Sequence, residues 1–446
     1  MADAVTNFAA LSNDAPNVYI AQEMYRLTER NLRIGRYAKM HNVTQRMGKT
    51  LRIVRCKRLV LPVSGATLTE GTPPDAVALA TENVDVTVEQ WGIVVLLTDV
   101  SLITTTHPAL QLAIDRTSLA ISEVLEREQA NMLLAGTQVY FPGAVTARSG
   151  LAASNKLDTA TVLKGSVALR NYGAAEQEGG LYVGVMAPQQ EGDVLAADQT
   201  FKDASNFANV RALQFGEIGI WMGVRWGRGN FLPMFKGQST PDATAASGTL
   251  DAGTAKPKVL AIDGGGTITS ATNFKFAVVW RDKTTDYERH ITQTSANIAS
   301  AATGNNESFT IDVPSGTLTN YVYDVYMSAA GGAGSLFKVL SRQTTATSAA
   351  ITAAPAGTEA VLPAAPAATV EVFVAWVFGK DSFGRVELDG MSLESYITPP
   401  GASYSNPLAQ GRKVGTKIMW KSFIIDNNYF ARIETGSAYS AGLPTG

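Results

Sequence analysis

The sequence predicts an α+β fold with an all-β sandwich inserted into it, and three observations support this class. One long amphipathic helix pattern follows Thr106. Alternation of apolar and polar residues, typical of strands, occurs before and after that helix. Residues 237–369 are rich in Ala, Ser, Thr and Gly and hold only short alternating strands, which indicates a separate sandwich. Because 446 residues exceed one ordinary core, two or three domains are expected.

The composition suits a chain whose surface is covered by neighbours. Charged residues make up 17% of the chain, below the usual share of about a quarter, and a free monomer normally carries more solvated charge. Lys and Arg number 37 against 39 Asp and Glu, and this balance argues against sequence-specific nucleic-acid binding, which usually needs a basic excess. The N-terminus lacks a basic region followed by an apolar core, and no run approaches the roughly 20 apolar residues of a membrane span. We therefore expect a soluble protein made in the cytoplasm.

The first hundred residues predict two extensions that have little core of their own. Residues 18–40 have a thin apolar face at helical spacing, which predicts that residues 1–50 form an N-terminal arm that lies on another surface. Residues 51–105 predict an extended β-hairpin, with a basic strand from Leu51, a turn-rich tip and an acidic strand around Val86. The opposite charges predict cross-strand ion pairs. A two-stranded ribbon is marginal in water, so we expect the hairpin to pack on another copy of the chain.

Residues 106–156 contain the secondary-structure element that the sequence predicts most clearly, a long helix. Pro108 lies in the first turn and Gly136 gives a stop, and an apolar stripe between them predicts a helix of about 40 Å. Residues 157–236 predict a mixed α/β region, with a helix capped by Asp158, strands near 181–187, 216–223 and 230–234, and a short helix over 194–207.

The segment 237–369 predicts the inserted sandwich. Its strands centre on residues 274–280, 309–313 and 322–327, and a Pro/Ala hinge at 353–368 closes it. The stretch around Tyr321 resembles the fibronectin type III and immunoglobulin-like pattern, in which Tyr321 would be the corner tyrosine. Residues 370–410 resume the strongly apolar strands, and 411–446 predict a final strand region with a turn at Asn427 and a polar tail.

Several residue groups resemble reactive sites, and each also has a simpler interpretation. The loop 262–267 (IDGGGT) resembles the first phosphate loop of actin-like ATPases and sugar kinases, but it lies in an all-β insertion without a second phosphate motif, so a flexible turn is favoured. The charges at 281–289 alternate in sign, which favours a solvated strand edge over a calcium loop, with His290 an exposed polar residue. The stretch 221–230 (WMGVRWGRGN) could stack bases, but a packed or intersubunit turn is favoured.

Cysteine and histidine chemistry is not expected either. The single cysteine, Cys56, excludes an intrachain disulfide and a cysteine-based zinc cluster, and we interpret it as a small strand residue. The three histidines are far apart in the sequence. We therefore predict that the protein is not an enzyme, with no catalytic, cofactor-binding or metal-ligating residues and no cofactor.

The order of arm, hairpin, long helix and interrupted α/β region resembles the Hong Kong 97-type capsid fold of tailed bacteriophages. Two segments of the chain look most like the sequences of the major capsid proteins of podovirus-type phages. They are residues 17–40 (NVYIAQEMYRLTERNLRIGRYAKM) and 67–99 (TLTEGTPPDAVALATENVDVTVEQWGIVVLLTD). The resemblance covers about residues 15–236 and 370–436, and the inserted immunoglobulin-like sandwich departs from the minimal fold.

The resemblance implies a domain layout. Residues 1–50 would be the N-arm and 51–105 the extended loop, and 106–156 the peripheral domain with its spine helix. The axial domain would comprise 157–236 and 370–410, interrupted by the insertion 237–369. Residues 411–446 would return to the peripheral domain as a strand and C-terminal tail.

The resemblance also implies a function. It is a self-assembling major capsid protein that forms hexamers and pentamers of an icosahedral head enclosing double-stranded DNA without sequence specificity. Expected partners are copies of itself, scaffolding and portal proteins and possible decoration proteins, with no membrane. The location would be the virion capsid, after assembly in the host cytoplasm. The alternative is a phage tail or surface adhesin protein with a glycan-binding immunoglobulin-like domain. Two further expectations are that the hairpin tip at 67–75 reaches an adjacent subunit, and that 240–368 face outward and are dispensable for shell closure.

Overall fold

The computed structural model describes most of the chain, as a mainly β protein with few helices. The described residues are 34–44, 48–56, 70, 78–98, 109–177, 179–197, 217–230, 232–241, 244–245, 257–283, 288–295, 297–300, 306–313, 318–366, 370–389, 394–398 and 412–439. The predicted arm helix before residue 34 and most of the hairpin tip at 67–75 lie outside these ranges. None of the helices in the described ranges combines the length and apolar character that crossing a membrane requires.

Three α-helices lie within the described ranges: α1 (Ala109–Leu133), α2 (Thr159–Asn171) and α3 (Pro188–Ala197). Short 3-10 turns are at Ile34–Tyr37, Arg148–Gly150 and Asn427–Tyr429. Helix α1 confirms the predicted long helix, and Asp158 caps α2 by accepting the Thr161 backbone N–H at 2.8 Å. The helix predicted over 194–207 begins earlier, at Pro188, because proline suits a first helical turn whose N–H needs no partner; residues 198–207 of this prediction lie outside the described ranges.

Eleven strands form the main sheet. Its order is β18-β17-β13-β14-β9-β19-β6-β8-β7, and β23 joins β19 to β5. The strands are β5 (Val139–Tyr140), β6 (Tyr182–Met186), β7 (Glu217–Trp221), β8 (Val224–Arg228), β9 (Met234–Pro241), β13 (Phe276–Asp282), β14 (Glu288–Gln293), β17 (Tyr321–Ser328), β18 (Leu336–Gln343), β19 (Glu371–Phe378) and β23 (Phe430–Thr435). The predicted strand at 230–234 therefore begins only at Met234.

The centre of the main sheet is buried on both faces, which is why its strands are almost continuously apolar. In β19 all residues after Glu371 are buried, with Trp376 and Phe378 on one face and Ala375 and Val377 on the other. Helix α2 packs against β23 on the second face. A Cβ on Gly184 in β6 would lie 2.6 Å from the Trp226 ring, so a glycine is needed for this close approach.

A five-stranded sheet carries α1 on one face. It contains β1 (Lys39–Val43), β4 (Glu89–Leu97), β20 (Phe383–Leu388), β21 (Glu394–Thr398) and β22 (Arg412–Ile424), in the order β1-β20-β22-β21, with β4 also on β22. Ile121 and Leu125 of α1 pack on Trp91, Ile418 and Trp420 of this sheet. The chain leaves the main sheet after β19, adds three strands here, and returns as β23. This confirms the predicted final strand region and its turn at Asn427.

The predicted hairpin is confirmed for its root. Strands β2 (Thr50–Cys56) and β3 (Thr81–Thr87) pair antiparallel from Thr50↔Thr87 to Cys56↔Thr81. Val86 of β3 and the following Val88 are buried against Val43 and Val386, so the root of the hairpin rests on the five-stranded sheet.

The strands predicted within 237–369 are present, but they do not form a separate body. A three-stranded sheet of β10 (Thr244–Ala245), β11 (Lys258–Ile262) and β16 (Ser308–Asp312), and the pair β12 (Asn273–Phe274) with β15 (Ile298–Ala299), contribute to a core with one face of β13 and β17. The other face of β13 and β17 belongs to the main core, and β14 pairs with β9 of the flanking segment. The predicted detachable insertion is therefore corrected to a region that shares a sheet and a core with the rest.

Candidate functional site

The Asp263 loop is a glycine turn packed against a neighbouring strand. It follows β11 in an all-β region, and Gly264 and Gly265 have φ of +87° and +78°. A Cβ on Gly266 would lie 2.0 Å from the carbonyl oxygen of Glu307. The glycines therefore serve a tight turn and a close backbone approach, as the simpler interpretation predicted.

Arg281 differs from the prediction of a solvated strand edge, because β13 lies between β14 and β17; the side chains of residues 284–289 lie outside the described part of the chain. Arg281 is mostly buried and pairs with Asp324, whose side chain is 1% exposed. His290 is half-buried and makes an edge contact with Tyr321, with ring centroids 5.4 Å apart. Among the described residues, no group of three His, Cys, Asp or Glu side chains could hold a metal ion. For Tyr321 the role of corner tyrosine stays a prediction; Tyr323 beside it donates its hydroxyl to the Thr345 carbonyl at 3.0 Å.

The tryptophan-rich stretch at 221–230 is a β-hairpin and not a loop. Strands β7 and β8 join through Met222 and Gly223, both with positive φ, as a two-residue hairpin turn requires. Trp221 and Trp226 are buried with ring centroids 6.3 Å apart, so their faces are not open to bases. Arg228 forms two hydrogen bonds of 2.5 Å with the Glu191 carboxylate.

The exposed hairpin confirms the predicted cross-strand charge pairing. Arg52 donates two hydrogen bonds of 2.7 Å to Asp85, and Arg55 pairs with Glu82 at 2.9 Å. The bonds from Arg52 hold the pKa of the Asp85 carboxyl below its ordinary value. Arg55 also donates to the backbone carbonyl of Ile425, which ties the hairpin to the end of β22. Cys56 is exposed at the end of β2.

Three exposed apolar side chains lie on the face of the five-stranded sheet opposite α1, where Lys417 Nζ also lies 4.5 Å from the centre of the Tyr396 ring. We call Val94, Leu96 and Tyr396 the outer patch. Val94 and Tyr396 flank Gly415 of β22 from opposite sides, and all three patch residues are exposed. The opposite face of the sheet packs on α1, where Thr117 and Thr416 share a hydrogen bond of 2.9 Å. Exposed apolar side chains grouped on one sheet face are typical of an interaction surface.

The N-terminal segment enters across α1 through a buried carboxylate. Glu126 accepts the backbone N–H groups of Ile34 and Gly35 at 2.6 and 3.1 Å. Ile34 is fully buried in the main core. Such charge-assisted bonds are stronger than neutral ones, and they hold Ile34 and Gly35 against α1. Our sequence analysis missed Glu126, although one acidic residue beside an apolar helix stripe is a visible signal.

Comparison with known proteins identifies the fold. No family model matches the sequence, and no curated protein does. Among solved structures, the capsid of the cyanophage P-SCSP1u superposes with a TM-score of 0.52 at 12% identity, over 98% of this chain and 100% of that chain. The capsid of Ralstonia phage GP4 gives a TM-score of 0.51 at 10% identity, over 98% and 99%. The chain has the fold of bacteriophage capsid proteins.

The capsid fold covers the whole chain, including residues 237–369. The predicted α+β class is confirmed, as a mostly β structure with few helices. Identities of 10–12% carry the fold alone, so assembly, partners and the grouping with podovirus-type phages are matters for experiment.

Proposed function

We propose that the chain is the major capsid protein of a tailed bacteriophage, which self-assembles into hexamers and pentamers of an icosahedral head around double-stranded DNA. One observation carries this proposal: the chain superposes along 98% of its length on two phage capsid proteins. The expected location is the virion, after assembly in the host cytoplasm, and no enzymatic activity is part of the proposal.

Two surfaces supply the physical reason for self-assembly. The described strands β2 and β3 form a two-stranded ribbon, and such a ribbon is marginally stable in water unless it packs on another surface. The outer patch exposes apolar side chains on the same sheet that carries the hairpin root. We propose that neighbouring copies cover both surfaces, with the tip at 67–75 reaching an adjacent subunit. Scaffolding, portal and decoration proteins are the further partners of this proposal.

The proposed domain layout keeps the boundaries predicted from the sequence and changes only the interpretation of residues 237–369. Residues 237–369 are an immunoglobulin-like elaboration that remains part of the subunit frame, since β14 pairs with β9 and β13 contributes to the main core. The adhesin alternative is not favoured, because it expects the sandwich as a terminal or repeated unit, whereas residues 237–369 are internal to the chain.

The deciding experiment is electron microscopy of the purified full-length chain. Closed shells, tubes or hexamers are the expected particles. A chain that stays monomeric at high concentration, with and without a co-expressed scaffolding protein, would overturn the proposal. Deletion of residues 67–75 should leave soluble, folded subunits that do not close shells. A replacement of the same residues by an equally long Gly/Ser segment shows whether the reach of the tip or its side chains matter.

A further inference from the structure

Strand β1 is an edge strand that joins the entering N-terminal segment to the hairpin β2–β3. Its five residues pair in parallel with β20, from Lys39↔Gly384 to Val43↔Leu388, and no other described strand pairs with it. It follows the turn at Ile34–Tyr37 and precedes β2 in the chain. A short edge strand opens locally at a lower cost than a central strand does. An opening of β1 would therefore affect both the N-terminal segment and the hairpin.

The His41 ring lies beside the apolar cluster that holds the hairpin root. Alternation along β1 puts His41 on the same face as Val43, which is buried in that cluster. The Phe423 ring, also part of the cluster, lies over Gly384, where a Cβ would be 2.9 Å away. The centroids of the Phe423 and His41 rings are 5.9 Å apart. His41 thus packs on the same phenylalanine that supports the hairpin root.

The neutral form of His41 suits this environment. Its Nε2 atom is buried and has no hydrogen-bond partner among the described residues. A protonated imidazole donates from both nitrogens, so protonation would leave a buried N–H of a charged ring without an acceptor. Burial lowers the pKa of His41, and the nearby charge of Lys39 lowers it further.

The described charged groups around His41 are paired with one another. Asp381 favours protonation of His41, but its carboxylate lies 3.1 Å from the Lys39 ammonium. On β20, Arg385 and Glu387 pair at 3.2 Å and alternate with Val386, so they lie on the opposite face from His41. The charged pairs of β22 and the hairpin are Lys421 with Glu89, Arg52 with Asp85, and Arg55 with Glu82 and Asp426.

We propose that His41 is a proton-operated latch for β1 and the hairpin root. With a neutral ring, both stay packed on β20 and β22. With a charged ring, that packing is lost and β1 opens, while α1 and the main sheet stay folded. The opened chain takes up the proton more readily than the closed one, so the closed state loses stability as pH falls below about 6.5, the ordinary pKa of histidine. The latch belongs to the single subunit and does not rest on the proposed assembly.

Amide hydrogen exchange of the full-length chain measures the opening, at about pH 7.5 and about pH 5.5, with correction for the intrinsic pH dependence of exchange. Aspartate and glutamate keep their charge over this range, since their ordinary pKa values are about 4. Protection of residues 39–43 and 86–88 should fall severalfold at the lower pH, and protection of α1 should not change. His41→Gln cannot take up a proton and should keep the protection.

His290→Gln is the matched control, because His290 lies in β14 and contacts Tyr321. This variant should lose protection at residues 39–43 as the native chain does. Exchange of the imidazole C2 hydrogen, followed by mass spectrometry, gives the pKa of His41 in the native chain without any substitution, and that pKa should lie below the value in the denatured chain.

The latch is overturned if the pKa of His41 is not lowered, or if residues 39–43 of the native chain keep their protection at the lower pH. It is also overturned if His41→Gln loses protection to the same extent as the native chain. A loss that includes α1 has the same consequence, because it reports global unfolding.

Discussion

Replacement of the outer patch by polar residues should block assembly without unfolding the subunit. The perturbation is the double variant Val94→Ser and Leu96→Ser. Both side chains point away from α1, on the face that also holds Gly415. Surface substitutions that touch no buried feature usually change the free energy of unfolding by less than about 0.5 kcal/mol each. The isolated subunit should therefore keep its Tm and circular dichroism spectrum.

The magnitude follows from the exposure of the two side chains. Val94 is 66% exposed and Leu96 is 58% exposed. Full burial of such side chains contributes about 1.5–3 kcal/mol, so burial of the exposed fractions contributes about 1–2 kcal/mol each. The double variant loses about 2–4 kcal/mol per subunit contact, which lowers its association constant about 30- to 900-fold. Because a shell repeats the contact many times, the effect on the critical concentration is cooperative.

Light scattering against protein concentration measures that critical concentration, and electron microscopy identifies the particles. Val361→Ser is the matched control, because Val361 is 54% exposed and lies outside the five-stranded sheet. The reasoning is refuted if the double variant forms shells at the native critical concentration. It is also refuted if Val361→Ser raises that concentration by the same factor.

Three further changes test the frame that supports these surfaces. Glu434→Gln removes the carboxylate that accepts from Arg148 at 2.6 and 2.7 Å, and leaving a buried guanidinium uncompensated should cost about 3–5 kcal/mol, seen as a lower urea midpoint. Glu126→Ala should release the entering segment, so that proteolysis near Ile34 accelerates at least tenfold while α1 stays protected. Burial lowers the pKa of His41, so the unfolded chain takes up the proton more readily; stability should fall as pH decreases below about 6.5, and His41→Gln should flatten that part of the profile.

The sequence predicts helices and strands well where the apolar residues follow a single helical or strand period. Helix α1 follows from its apolar stripe and its glycine stop, and the hairpin root follows from strict alternation around Val86. The N-cap Asp158 and the turn at Asn427 could be predicted, because capping and turn formation depend on residues that are close together in the sequence. The helix at Pro188 was misplaced because proline was interpreted only as the end of a strand, although it also opens helices.

Partners over long sequence distances could not be predicted from periodicity. Strand β9 pairs in parallel with β14 some fifty residues later, and β19 lies between β9 and β23. The alternation of residues in a strand predicts which side chains face the core, but it does not predict which other strand pairs with it. The buried Asp324 has a visible signal, a single carboxylate in the apolar run YVYDVYMS, but the alternating charges around its partner Arg281 predict a solvated side chain.

The two faces of β13 explain why the inserted region should not be treated as decoration. Phe276, Val278 and Trp280 face the core of the three-stranded sheet, while Ala277 and Val279 face the main core. Both faces of β13 are thus buried, one in each core. Removing residues 240–368 would leave β9 without β14 and would uncover the main core, so the loss of shells after that excision would report misfolding and not a role in closure. Point changes such as those at the outer patch separate folding from assembly, because they leave this shared core intact.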